Sequence, residues 1–73
     1  MAEQLTFKQA KVLRFITTYL GENGYQPSID EMREHMNVTS PNSIISLLKG
    51  AEKRGYIELT GNPRAIKIYR TRE

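Results

Sequence analysis

Ser28-Ile29-Asp30-Glu31-Met32-Arg33-Glu34-His35-Met36-Asn37-Val38-Thr39-Ser40-Pro41-Asn42-Ser43 carries two helix starts with a helix stop between them. Ser28 can cap the backbone amide of Glu31 while the Glu31 side chain reaches back, the reciprocal pairing of a capping box. Ile29, Met32 and Met36 then share one apolar face, and Asp30, Glu31 and Glu34 suit the positive end of the helix dipole. Asn37 tolerates the left-handed conformation that ends a helix sharply. Only Val38 and Thr39 separate it from Ser40-Pro41, an N-cap serine with proline at the first helical position. One helix over about 28–36 and another over about 41–54, joined by so short a turn, outline a helix-turn-helix.

On the N-terminal side, Leu5-Thr6-Phe7-Lys8-Gln9-Ala10 opens a first helix over about 6–20. Thr6 can cap Gln9, Gln9 can reach back, and Leu5 can staple against Ala10. Ala10, Leu13, Ile16 and Leu20 recur at helical spacing, Val12, Phe15 and Tyr19 widen the stripe, and Gly21 and Gly24 stop it. On the C-terminal side the period changes to two after Gly55. Tyr56-Ile57-Glu58-Leu59 and Ala65-Ile66-Lys67-Ile68-Tyr69 alternate around the turn Thr60-Gly61-Asn62-Pro63-Arg64, which predicts a hairpin over about 56–59 and 65–69. An isolated hairpin is marginal, so it must rest on the helices. The expected fold is α+β, a three-helix winged helix-turn-helix with a C-terminal two-stranded β-hairpin, with residues 1–73 as one domain. Its expected core is Leu13, Ile16, Leu20, Ile29, Met32, Met36, Ile44, Leu48, Ala51, Ile57, Ile66 and Ile68.

Size and composition narrow the function. A chain of 73 residues and 8.4 kDa buries only ~60% of the surface its unfolded form exposes, enough for one modest core. With no cysteine and one histidine there is no disulfide, thiolate site or metal cage to expect. No apolar run approaches the ~18 residues of a membrane span, and no signal-peptide core follows Met1. The expectation is a soluble cytoplasmic protein, nucleoid-associated when bound, that is not an enzyme and uses no cofactor or metal. Charge then points to a polyanion. Residues 1–39 hold four bases against five acids, a net of −1, whereas residues 40–73 hold seven against three, a net of +4.

The third helix divides this charge by face. With Asn42 set at zero, Lys53, Lys49, Ser46 and Ile45 fall at roughly +20, −20, +40 and −60°. Ile44, Leu47, Leu48 and Ala51 fall between roughly 140 and 240°, on the core side. A major-groove helix needs that outer set: short polar groups for base edges, an apolar group for a thymine methyl, lysines for phosphates. In the hairpin turn Arg64, with Lys67, Arg70 and Arg72 near it, suits phosphates or a minor groove. Other candidates have plainer readings. His35 reads as a surface or partly buried side chain, Ser28, Ser40 and Ser43 as caps, and Tyr25, Tyr56 and Tyr69 as the edge of the core.

Leu5-Thr6-x-x-Gln9, Gly24-Tyr25-x-Pro27-Ser28-x-x-Glu31, Ser40-Pro41-Asn42-Ser43, Arg54-Gly55-Tyr56-Ile57 and Pro63-Arg64-Ala65-Ile66-x-Ile68 together resemble the N-terminal DNA-binding domain of the LexA family, repressors of the bacterial SOS response. The resemblance runs from about Leu5 to Tyr69. It implies a winged helix-turn-helix that binds palindromic operators as a dimer, with Ser40, Asn42, Ser43, Ile45 and Ser46 where the family contacts DNA. The best-known members carry two adjacent glutamates where Ile45 and Ser46 stand, and other branches histidine and glycine, so the resemblance leaves open whether the operator is an SOS box. The family's peptidase half has no counterpart in the sequence, so the expectation is either an excised DNA-binding domain or a stand-alone relative such as a regulator of a phage or mobile element. The sequence therefore predicts sequence-specific binding of double-stranded DNA by a LexA-like transcriptional repressor. The DNA-binding residues are Ser40, Asn42, Ser43, Ile45, Ser46, Lys49, Lys53, Arg64 and Lys67. With every apolar stripe used by one core, a monomer that pairs on inverted half-sites is expected. The alternative is a protein-interaction module that engages a repressor or polymerase through Ile45 and the hairpin.

Overall fold

In the computed structural model, which describes residues 5–62 and 65–69, three helices precede a short hairpin. They are α1 (Phe7–Asn23), α2 (Ile29–Met36) and α3 (Pro41–Lys53), followed by the strands β1 (Ile57–Glu58) and β2 (Lys67–Ile68). The strands pair antiparallel, with Ile57 opposite Ile68 and Glu58 opposite Lys67. This is the α+β winged helix-turn-helix that the sequence predicts. Pro63 and Arg64 of the expected turn, and Arg70 and Arg72 of the tail, lie outside the described residues.

Each helix boundary follows from local chemistry. Thr6 Oγ1 accepts from the Gln9 amide at 3.1 Å while Gln9 Oε1 accepts from the Thr6 amide at 2.9 Å. Ser28 and Glu31 repeat the arrangement at 3.2 and 2.7 Å. Asn37 ends α2 in the left-handed region at φ 59°, and its amide bonds back to the last turn. Ser40 caps α3 by accepting from the Asn42 amide at 3.2 Å, with Pro41 at the first position. One boundary differs from expectation. Gly21 does not stop α1, because a lone helical glycine costs only ~1 kcal/mol and no backbone bond is lost. The helix ends instead at Gly24, whose φ of 80° needs no Cβ and whose amide reaches the Leu20 carbonyl.

The core lies where α1 crosses both α2 and α3 and where α3 meets β1. Leu13, Ile16, Met32, Ile44, Leu48, Ala51, Ile57 and Ile66 are buried as expected. Leu5, Val12 and Tyr56 join them, Leu5 as the staple beneath the α1 cap. Leu20, in the last turn of α1, is 38% exposed and lies outside the core. Ile29, Met36 and Ile68 are half-buried at the rim, not central. Of the tyrosines read as core edge only Tyr56 is buried, whereas Tyr25 and Tyr69 are exposed. The hairpin is also shorter than the alternating sequence suggested, so most of its attachment must come from outside the ladder.

A single carboxylate joins α1 to the start of α2. Glu31 closes its own capping box with Oε1 and accepts the Tyr19 hydroxyl on Oε2 at 2.7 Å. That hydrogen bond, with desolvation adding to it, pushes the Tyr19 phenol up to about 12. A phenol raised in the folded state stabilises fully below its unfolded value of about 10 and loses that contribution as pH climbs through the folded one. Stability should therefore fall between about pH 10 and pH 12. Tyr19→Phe should flatten that fall in thermal melts and remove the last-titrating phenolate from the ultraviolet spectrum.

Candidate nucleic-acid interface

Helix α3 is amphipathic, and its two faces have separate uses. Ile44, Leu48 and Ala51 are buried against α1 and α2, while Asn42, Ser43, Ser46, Lys49 and Lys53 are exposed on the outer side. Ser40 sits half-buried at the head of this row, where its hydroxyl is occupied by the cap. Lys67 is exposed on β2, directly opposite the exposed Glu58 of β1. Arg64 lies outside the described residues.

Ile45 is placed differently from expectation. It is half-buried and lines a cleft of about 230 Å³ with Leu48 of α3, Ile29 of α2, and Leu59 and Ile66 of the hairpin. A helical wheel puts it at the edge of the outer face but cannot tell that the hairpin closes over that edge. Ile45 thus bridges α3 and the wing and is not a freely solvated aliphatic.

Three side-chain bonds tie the wing to the helical part of the domain. The buried Gln26 amide donates Nε2–H to the Ile66 carbonyl at 2.7 Å and accepts the Ile66 amide on Oε1 at 2.8 Å. One side chain thereby acts as a strand neighbour to the returning arm. Glu52 of α3 accepts the Leu59 amide on Oε2 at 2.9 Å. Within the turn, the Thr60 hydroxyl donates to the Ala65 carbonyl at 2.9 Å. Neither Gln26 nor Glu52 is marked by periodicity. The only hint in the sequence is an acid at the edge of an otherwise cationic helix face.

Electrostatics favour an anion on the outer face of α3. Glu52 is the one acid on the helix, its carboxylate accepts the Leu59 amide, and it forms no ion pair with Lys49 or Lys53. Among the described residues the only ion pair is Arg33 with Asp30 at 3.4 Å, far from this face in sequence. The two lysines therefore keep their charge outward.

Residues 2–65 match the LexA DNA-binding domain. The chain belongs to that family. It is 42% identical over 66 residues to the LexA repressor of Petrotoga mobilis, covering 90% of this chain and 32% of that protein. To the LexA repressor of Thermotoga maritima it is 40% identical over 67 residues, covering 90% and 34%. To that of Thermobifida fusca it is 41% identical over 68 residues, covering 92% and 27%. The chain thus spans about a third or less of the length of these LexA repressors.

If the Gln26 amide fixes the wing of this LexA-type domain, Gln26→Ala leaves a buried N–H and a buried C=O at Ile66 without their partner. Each such group costs ~1–3 kcal/mol, so urea unfolding should report a loss of roughly 2–6 kcal/mol. Exchange of the Ile66 amide should accelerate more than that of the α1 amides.

Proposed function

We propose that this domain binds double-stranded DNA sequence-specifically and represses transcription, with α3 in the major groove and the hairpin as a wing along the phosphates. The observation that carries the reading is the outer face of α3: an amide, two hydroxyls and two unneutralised lysines, exposed at the second helix of a helix-turn-helix in a LexA-type domain. Asn42, in the first turn, can donate to and accept from adenine at once. Ser40, Ser43 and Ser46 reach phosphates or base edges beside it, and Ile45 covers a thymine methyl from its place against the wing. Lys49, Lys53, Lys67 and Arg64 meet phosphates. The domain carries out no reaction of its own.

The apolar faces of α2 and α3 pack into one core, and one such module buries only ~600–1,000 Å² on DNA. The domain alone is therefore a monomer that pairs on two inverted half-sites. Sedimentation at micromolar concentration should give one species without DNA and a two-to-one complex with a selected palindrome. A stable free dimer contradicts the proposal.

Selection from random oligonucleotides, followed by binding assays, tests the readout. Asn42→Ala should weaken the selected site by roughly ten- to a hundredfold and relax preference at one base pair, while random DNA is bound as before. Lys49→Ala, Lys53→Ala and Arg64→Ala should each weaken all sequences alike and reduce the log–log salt slope by about one unit. Ile45→Ala should act more mildly, and replacing the contacted thymine by uracil should remove its effect. If Asn42→Ala and Ile45→Ala bind both DNAs as the parent does but lose a protein partner, the domain is an interaction module instead.

A further inference from the structure

The outer face of α1 carries a second surface that the DNA-binding reading leaves unused. Phe7 is 79% exposed, an unusual position for a phenylalanine in so small a domain. It begins a row with Lys11, Arg14 and Thr18, spaced as one straight stripe along the helix, beside a groove of about 460 Å³. Ala10 and Phe15 supply the apolar floor of this groove. Its far wall is His35 of α2, whose ring stacks on Phe15 at 4.1 Å between centroids and 10° between planes. No residue of α3 or of the hairpin lines it.

Charge selects the occupant. Lys8, Lys11 and Arg14 stand in the first half of α1, no acid occupies its first turn, and its first acid is Glu22. Lys8 lies in the first turn, where the helix dipole favours carboxylates, so local stability does not explain a cation there. Among the described residues no acid lines the groove and no ion pair reaches Lys11 or Arg14. The floor is carbon, which suits phosphate poorly. A straight stripe with one prominent ring is the shape along which a second helix lies.

We infer that the groove between α1 and His35 docks an acidic amphipathic helix of another protein, with its apolar residues on Phe7 and Phe15 and its carboxylates on Lys11 and Arg14. None of the described residues lining the groove belongs to α3 or the hairpin, so a partner seated there leaves the outer row of α3 uncovered.

The test uses isotope-labelled chain and a short synthetic peptide of glutamates with leucine and phenylalanine three and four residues apart, beside a scrambled peptide of the same composition. The ordered peptide should shift the amides of Phe7, Lys11, Arg14 and His35, leave those of α3 unmoved, and saturate below about 1 mM. Lys11→Glu with Arg14→Glu should weaken it roughly tenfold or more, and Phe7→Ser should weaken it without altering thermal stability. Lys11→Gln, the milder change, should give a smaller loss in the same direction. Equal shifts from the scrambled peptide, or an affinity indifferent to the double charge reversal, overturn the inference. The same amides moving when the chain alone is concentrated assign the groove to a second copy and overturn it as well. Movement of these amides by random duplex DNA, with none by the peptide, makes the face a phosphate contact and has the same consequence.

Discussion

The amide of Gln26 is the constraint on which the shape of the binding surface depends. A two-residue ladder is too short to hold a hairpin in water. The returning arm is instead held by a side chain that satisfies both backbone groups of Ile66 at once, at 2.7 and 2.8 Å. Because Gln26 lies next to Pro27 and the Ser28 cap, the start of α2 and the base of the wing become one rigid piece. Glu52 ties the outgoing arm to α3, and the Tyr69 amide reaches the Tyr56 carbonyl at 2.9 Å where the arms leave the body. The hairpin is thus tied both to the start of α2 and to α3.

A second buried amide governs the other side of the domain. Gln9 lies in the core, 7% exposed, because its Oε1 is held by the Thr6 amide and its Nε2 edge meets α3 at Gly50. A Cβ at position 50 would stand 2.3 Å from Gln9 Nε2. The glutamine cannot swing aside without giving up the α1 cap, so glycine persists in mid-helix despite a propensity cost of about 1 kcal/mol. The cap of α1 and the crossing of α1 on α3 are thus one device. Its loss would tilt the helix that carries the candidate base-reading row.

Features set by neighbours in the chain were legible in the sequence; features set by distant partners were not. Both capping boxes, the left-handed Asn37 and the Ser40-Pro41 start are local chemistry, and the structure reproduces each. Gln26 pairs with a residue forty positions away and leaves no period, so nothing in the sequence marked it. Gly50 could not be told from an idle glycine until its neighbour Gln9 was in view. Leu20 fitted the apolar stripe, yet periodicity cannot tell where the neighbouring helices end. Ile45 was misjudged for the same reason, since the hairpin that half-covers it comes from beyond Gly55. The exposed positions of α3 were legible because the helical period alone separates them from Ile44, Leu48 and Ala51.

Glu52 links the fold to the electrostatics of α3. On an isolated helix an acid three residues after Lys49 would pair with it and remove about half of the useful charge. Here the carboxylate is drawn into a hydrogen bond with Leu59, and the structure uses it to orient the wing. One bond therefore does two things: it fixes the hairpin beside α3 and it occupies the carboxylate, so that no ion pair to Lys49 or Lys53 occurs among the described residues. Were the wing displaced, Glu52 would be released next to the lysines, and the surface would lose its shape and its charge together. Stability of the hairpin and attraction for a polyanion are in this way coupled through a single side chain, which neither composition nor net charge could reveal.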